Sequence, residues 1–477
     1  MERRALGICC LLAALFAEAA DEPFMSLLWG SRAPKADTPA ALTQLTDALG
    51  RYPSCFDGVR FLDKRLDDQA AAALKKLGIA SSASDAAISY TTPVTDHAPR
   101  DMVGSALLFA AVRGQGTATI DNLRHCASGK TAHGLCVESM LYLAYGANSL
   151  EFDLTGYAHE PMAWYANTYM SELTLWRPFF QAYVRYNAET KPGGVLPFCG
   201  KEGKPELAGT LKAADALAPA GLPMCPGSPW PVCYLLNAES VKSMAAADIQ
   251  RVLSGSVVLD GGAVAQLQAR GYGAAMQMTA VPREPDAVEV FTDDELNVNR
   301  VGYVWSPAAA KAETFALYPS NEAARVIGRY QQADGKTAEA ASVLSESPQG
   351  GRVAALGFAG FGGEVSAARR RQLLLAADWV AQNRLPVLVE TVSQAVVVPR
   401  VTMAGDLRSV TVLNATIDTQ PPLTLRLRGC PDGLERMEWV TPKEKPVTVA
   451  VRWEAKDALV TLPAVGPWQI GWLRACE

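Results

Sequence analysis

Thr117-Ala118-Thr119-Ile120-Asp121-Asn122-Leu123 is the stretch on which the fold turns. Its alternating β-branched and apolar residues read as a strand that ends on a carboxylate. Residues 132–145 follow with helical composition and stop at Gly146, and residues 149–154 read as the next strand. Upstream the same alternation occurs three times. Residues 24–29 read as a strand, and Thr38-Pro39 then opens a helix with Leu42, Leu45 and Leu49 on one face. Residues 59–62 form a second strand, Asp67 is placed to cap a helix through Leu74 and Leu77, Gly78 to end it, and Ile79 to begin a third strand. Alternation of this kind produces parallel strands with helices packed outside, an α/β architecture.

A helix at 101–112 precedes the stretch quoted above, so about five strands are expected by Gly156. A helix from Pro161 carries Trp164, Tyr165 and Leu173, and Pro178 should kink or break it because proline lacks the amide donor. A closed (β/α) barrel takes eight such units and about 250 residues, whereas residues 21–191 supply about 170. The barrel read here is incomplete.

Residues 191–231 are rich in Pro, Gly and Cys and mark a boundary. Beyond it, short apolar strands at 232–236, 256–259 and 352–357 alternate with helices, among them 365–383 with Leu373, Ala377 and Val380 on one face. Open α/β topology fits this part. From Gln394 the pattern changes to strands at 396–398, 409–414, 423–428, 448–453 and 468–473, a small antiparallel β domain. The expected layout is a signal at 1–20, a shortened barrel at 21–195, a flavodoxin-like domain at 196–391 and a β-sandwich domain at 392–477.

Met-Glu-Arg-Arg, an apolar run from Ala5 to Ala17 and then Ala17-Glu18-Ala19-Ala20 give the charged, apolar and small-residue order of a secretory signal, so a secreted or periplasmic protein is expected. The run is shorter than the about 20 apolar residues of a membrane span, and Ile8 before Cys9 argues against a lipid-anchored variant. With 44 Lys and Arg against 49 Asp and Glu, the net charge of −5 offers no basic excess for a phosphate backbone, which excludes nucleic acid as a partner. Cys199, Cys225 and Cys233 lie where a loop-stapling disulfide would fit an oxidising compartment, and the other cysteines read as buried thiols.

Ile120-Asp121-Asn122-Leu123, Ser128-Gly129-Lys130-Thr131, Glu138, Tyr145-Gly146-Ala147-Asn148-Ser149-Leu150 and His159-Glu160-Pro161 together resemble the closing third of a glycoside hydrolase barrel, in the order of β-galactosidase-like hydrolases. In that group a flavodoxin-like trimerisation domain follows, which residues 253–261, Arg270-Gly271-Tyr272-Gly273 and residues 350–357 resemble. The family's terminal β domain is similar to residues 410–415 and 468–473. The resemblance implies hydrolysis of a glycosidic bond, a β-galactoside being one candidate, by two carboxylates and without a cofactor. It also implies two departures: no counterpart of the acid/base strand lies between residues 81 and 96, and Asp121 stands where the family's nucleophilic Glu is found. A non-catalytic carbohydrate-binding relative, or a truncated pseudoenzyme, is the alternative.

Asp121 is the first catalytic candidate, because a carboxylate at the carboxyl end of a barrel strand faces the mouth. A loop-capping role is its plain alternative. Asp63 and Asp153 also end strands and are candidates for a second carboxylate, and Asp85 or Asp96 would have to act from a loop. Asn122, His159 and Glu160 are candidates for hydroxyl recognition, while Glu160 at a helix start also complements the helix dipole. Trp29 and Trp164, with Tyr165 and Trp176, are candidates to stack on sugar faces, against core packing. His97, His125, His133 and His159 match no ligand spacing, so no metal is assigned. No Cys lies between Cys233 and Cys430, which excludes amidotransferase chemistry in the middle domain and leaves it packing or self-association, a homo-oligomer being one expectation. Asp260-Gly261-Gly262 lacks phosphate-loop spacing and reads as a tight turn, and Asn414-Ala415-Thr416 fits the glycosylation pattern.

Overall fold

The computed structural model describes residues 24–29, 39–83, 101–121, 130–154, 166–198, 214, 216–228, 231–283, 288–306, 313–332, 335–362, 366–391 and 393–476. The chain divides into two compact units, one made of residues 1–91, 116–139 and 148–178, the other of residues 92–115, 140–147 and 179–477.

The first unit is built on β1 (Met25–Trp29), β2 (Gly58–Phe61), β3 (Ala80–Ala83), β4 (Gly116–Asp121) and β5 (Ala147–Asp153), hydrogen-bonded in the order β3-β2-β1-β5-β4. β1 runs parallel to β2 and β5, and β2 parallel to β3. Going from β1 to β3, and from β4 through β5 back to β1, each step advances in the same sense. A doubly wound sheet reverses at its switch point; this one does not. With right-handed crossovers, this constant advance puts the helices that follow β1 and β2 on a single face. Among the described residues the edge strands β3 and β4 do not pair with each other.

Side-chain alternation matches this arrangement. Leu27 stands opposite both Val59 and Phe152, and all three are buried. The residues between them are polar: Ser26 stands opposite Glu151, and Thr117, Thr119, Ser149 and Asp153 share that second face. Helices α1 (Pro39–Arg51) and α2 (Lys64–Lys76) follow β1 and β2 in the chain, with Leu45, Leu49, Leu66 and Leu74 buried. The cap of α2 is Asp63 rather than Asp67: Asp63 has extended φ/ψ and accepts from the Arg65 N–H, whereas Asp67 sits within the first turn. Helices α3 (Asp101–Val112), α4 (Ala132–Ala144) and α5 (Ser171–Tyr186) follow in the chain, α3 within the second unit. α5 runs unbroken through Pro178. Burial of Trp176, Phe179, Phe180 and Tyr183 outweighs the roughly 3 kcal/mol that an internal proline costs a helix.

In the second unit, β6 (Lys191–Pro192) pairs with the C-terminal sheet and β7 (Val195–Pro197) with the preceding one. The stretch read as a boundary therefore contributes a strand to each sheet. β7, β8 (Cys233–Leu236), β9 (Val257–Asp260) and, further along the chain, the strand 352–356 lie side by side in parallel. Helices α6 (Ala238–Ser243), α7 (Ala246–Ser254), α8 (Gly261–Ala269) and α9 (Gly273–Met276) connect them, and their apolar residues join those strands in one core that includes Ile249, Val257 and Leu267. The expectation of purely open α/β layers is corrected here. β10 (Met278–Arg283), β11 (Val288–Phe291), β12 (Val304–Trp305), β13 (Thr314–Pro319), β14 (Arg325–Gln331) and β15 (Thr337–Glu346) form an antiparallel extension that joins β16 (Arg352–Leu356). These strands are tied to one another by antiparallel pairing, between consecutive strands in β11–β12, β14–β15 and β15–β16 and between non-consecutive ones in β10–β13, β11–β14 and β13–β15. Helix α10 (Ala367–Val380) follows, with Leu373, Ala377 and Val380 buried on the expected face.

The C-terminal sheet has the order β17-β20-β23-β22-β21-β24-β19-β18-β6. Its strands are β17 (Val387–Val389), β18 (Ala395–Val401), β19 (Leu407–Asn414), β20 (Leu423–Leu427), β21 (Arg436–Val440), β22 (Val447–Glu454), β23 (Asp457–Leu462) and β24 (Ile470–Ala475). β21 and β23 add to the five strands expected, and Trp468, at φ 53°, precedes β24 instead of belonging to it.

One buried carboxyl in this unit carries a pH prediction. Asp260 caps α8 with Oδ1 2.6 Å from the Ala263 amide, while its Oδ2 accepts from the Gly360 N–H at 2.7 Å. Burial pushes the carboxyl up from 3.8 to about 7, against the opposing pull of those amides. An acid whose folded pKa is raised binds its proton more tightly in the fold. Its contribution is therefore complete below pH 3.8 and is lost as the pH rises through about 7. Urea denaturation across this window should show stability falling toward neutrality, with a flatter profile in Asp260→Asn. An unchanged profile in the variant would exclude Asp260 as the source.

Candidate functional site

The polar face of the five-stranded sheet holds the candidate chemistry. Its lower rungs are explicit: Thr117 Oγ1 and Ser149 Oγ are 2.8 Å apart, and Thr119 Oγ1 donates to Glu151 Oε2 at 3.1 Å. These rows advance together along both strands, so β4 runs parallel to β5. Asp121 and Asp153 stand two residues further on in each strand. They are therefore neighbours on this same face, at the carboxyl ends of adjacent strands and about one inter-strand spacing of 4.8 Å apart. Each is 1% exposed. Glu151 also accepts a two-pronged pair from Arg60, with Nε–Oε1 2.6 Å and Nη2–Oε2 2.5 Å. Since Glu151 lies opposite Ser26 and Arg60 opposite Leu28, this contact reaches over β1 and joins β5 to β2. The sequence reading did not single out Arg60 or Glu151. The signal was present in Ser149-Leu150-Glu151-Phe152-Asp153, where polar and apolar residues alternate with period two.

The third carboxylate candidate has another environment. Asp63 holds the α2 N-terminus and pairs with Arg65, whose guanidinium and then backbone N–H keep the carboxyl below its ordinary range. The structure brings Asp121 and Asp153 together and gives Asp63 a capping position. Trp29 is 4% exposed and stands opposite Phe61; by alternation it belongs with Leu27 on the apolar face, opposite to Asp121 and Asp153. Trp176 is buried, donates from Nε1 to Glu172 Oε1 at 2.9 Å, and meets the His133 ring edge to face at 5.6 Å. Both tryptophans are therefore packed as core residues. Asn122, His159, Glu160, Trp164, Tyr165, Asp85, Asp96, His97 and His125 lie outside the described residues.

Just beyond β4, Lys130 Nζ and Glu138 Oε2 form a buried ion pair at 2.5 Å, and Tyr169 donates its hydroxyl to the Lys130 carbonyl. This fixes the start of α4. Among the described residues no group of three His, Cys, Asp or Glu side chains gathers as a metal site, and no helix is long and apolar enough to cross a membrane. Cys225 and Cys233 are buried free thiols. β7 runs between them, because Val195 bridges to Met224 on one side and pairs with Cys233 on the other, so a bond between these two would need backbone movement. Cys199, the third member of the expected staple, lies outside the described residues.

No family model matches the chain, and no curated protein matches it. Among solved structures it is similar to alpha-L-fucosidase isoenzyme 2 from Paenibacillus thiaminolyticus, with 12% identity and a TM-score of 0.56 over 92% of this chain and 81% of that one. A polyextremophilic beta-galactosidase from the Antarctic haloarchaeon Halorubrum lacusprofundi follows, at 11% identity and TM-score 0.42 over 88% of this chain and 64% of that one. A rhamnosidase from Novosphingobium sp. PP1Y shares 9% identity and TM-score 0.39 over 86% of this chain and 39% of that one. The likeness to the fucosidase is one of fold: the chain has a glycoside hydrolase-like fold.

Proposed function

We propose that the chain is an exported carbohydrate-binding relative of the glycoside hydrolases, which holds a saccharide at the carboxyl ends of β4 and β5 without cleaving it. One observation carries this reading: Asp121 and Asp153 stand side by side on neighbouring strands and face the same way. Hydrolysis needs two carboxyl groups that flank the scissile bond, one protonating the leaving oxygen and one attacking or activating water from the opposite face. Neighbours on one wall approach a ligand from one side only. Their near-complete burial suits acceptors at the floor of a site, which fix sugar hydroxyls by charge-assisted hydrogen bonds. The fold likeness supports the ligand class, the five-stranded sheet is consistent with a shortened barrel, and the order of residues 1–20 supports export.

The test pairs turnover with binding. Nitrophenyl galactosides and fucosides should remain intact, while thermal unfolding with free galactose, fucose and β-galactosides should shift upward for at least one sugar and less so in Asp153→Asn. Turnover that disappears in Asp121→Asn would overturn the reading in favour of hydrolysis, the second reading, which the likeness to a fucosidase favours. No shift with any sugar would remove the carbohydrate ligand altogether.

A further inference from the structure

A cavity of about 440 Å³ opens in the second unit, where Gly193 and Gly194, Asn383, Arg384 and Pro386, the 402–405 turn and Arg428 meet. Its volume falls within the roughly 300–1,000 Å³ range of small-molecule sites. Glycine shapes its wall: a Cβ on Gly194 would come within 2.3 Å of the Pro223 carbonyl oxygen, and one on Gly193 within 3.0 Å of Val401 methyls. A side chain is thereby excluded at both positions.

The charge at this cavity is one-sided. Arg428 donates to both Asp378 oxygens at 2.5 and 3.0 Å and also to Asp457. Arg426 pairs with Glu390, Glu454 and Asp457, and Arg371 with Glu390. Asp378 and Asp457 are thus engaged by Arg428, and none of the residues lining the cavity is acidic. Arg384 is different. It is exposed, its Nε donates to the Ala381 carbonyl at 3.1 Å, and it makes no ion pair among the described residues. Gln382 and Asn383, both at φ 56°, precede it. Two consecutive non-glycine residues in the left-handed region are a strained way to leave a helix, and here they carry Arg384 to the cavity lip.

We propose that this cavity binds a small organic oxyanion, a carboxylate or sulfate carried on a sugar-sized body, with Arg384 as its charged contact. The proposal does not rest on the strand-end reading, since none of its lining residues belongs to the first unit. Glucuronate, glucose 6-sulfate, glucose and inorganic sulfate serve as probes in isothermal titration of the whole chain. The expected result is binding of one or both acidic sugars, at least tenfold weaker in Arg384→Gln and partly restored in Arg384→Lys, with glucose not binding at this site. A carboxylate ligand is distinguished from a sulfate ester by which acidic sugar binds. Equal binding of glucose, insensitivity to Arg384→Gln, or binding of inorganic sulfate as tight as that of glucose 6-sulfate would each overturn it. Because Arg384 is exposed, its variants should fold as the parent does, and Asp153→Asn should leave this binding unchanged.

Discussion

Replacing Glu289 with alanine is expected to destabilise the second unit by about 3–5 kcal/mol, the cost of leaving one member of a buried ion pair alone. Arg369 and Glu289 are both fully buried, with Arg369 Nη1 3.1 Å from Glu289 Oε2 and 3.3 Å from Oε1. The guanidinium also donates to Ser342 Oγ at 3.3 Å and to Gln372, and its carbon lies 4.6 Å from the centre of the Trp305 ring. Gln372 in turn donates to Asn297 Oδ1 and the Ile327 carbonyl. Without Glu289 these neutral groups remain, but none carries the compensating charge. The site is also sterically closed, since a Cβ on Gly328 would lie 1.8 Å from Glu289 Oε1. Urea denaturation followed by peptide-resolved hydrogen exchange over residues 288–380 measures the loss locally, which matters because two units need not unfold as one. The double variant Glu289→Met with Arg369→Met should recover most of it, as apolar replacement of a whole buried pair is often neutral. A cost below about 1 kcal/mol for Glu289→Ala, or a double variant no better than the single, would show that the pair does not hold this sheet to α10.

The buried Arg369 marks a place where local reading of the chain fails. Arg369-Arg370-Arg371 is a run of three cations, which periodicity assigns to a solvated helix face, yet α10 turns the first of them into the sheet. Only the tertiary partner Glu289, eighty positions earlier, could reveal it. The strand ends were more legible. Asp121 closes a β-branched run and Asp153 an alternating one, and both patterns survive folding because a strand's period of two is local. Asp63 looks the same in sequence but has a different position: β2 ends at Phe61 and α2 begins at Lys64, so the side chain caps the helix and is not part of the strand. Trp29 shows the remaining gap. Its place at a strand end made it a stacking candidate, whereas the face it takes depends on the register of β1 against β5. The antiparallel strands between 278 and 346 escaped because half of their pairings join strands that are not consecutive in the chain, which local periodicity does not encode.

Glu151→Ala should have the second largest effect, about 2–4 kcal/mol on the first unit. Glu151 touches two other strands of the wall, β2 through Arg60 and β4 through Thr119. Its side chain is 6% exposed and that of Arg60 25% exposed, so the pair is only partly screened and the cost falls below that of Glu289→Ala. Glu151→Gln keeps the shape and one strong acceptor, and should lose about half as much. Hydrogen exchange should quicken in β2, β4 and β5 and remain unchanged in residues 288–380. Glu151 also lies directly beneath Asp153 on the same face of β5, so the substitution loosens the strand end that presents both candidate carboxylates. A sugar bound there should therefore be held more weakly in Glu151→Ala, while binding of an acidic sugar at Arg384 should not change. If exchange in β2 stays slow, Arg60 is held by something other than Glu151. If sugar affinity survives a measured loss of stability, Asp121 and Asp153 do not depend on the rung below them, and the ligand of this fold is bound elsewhere.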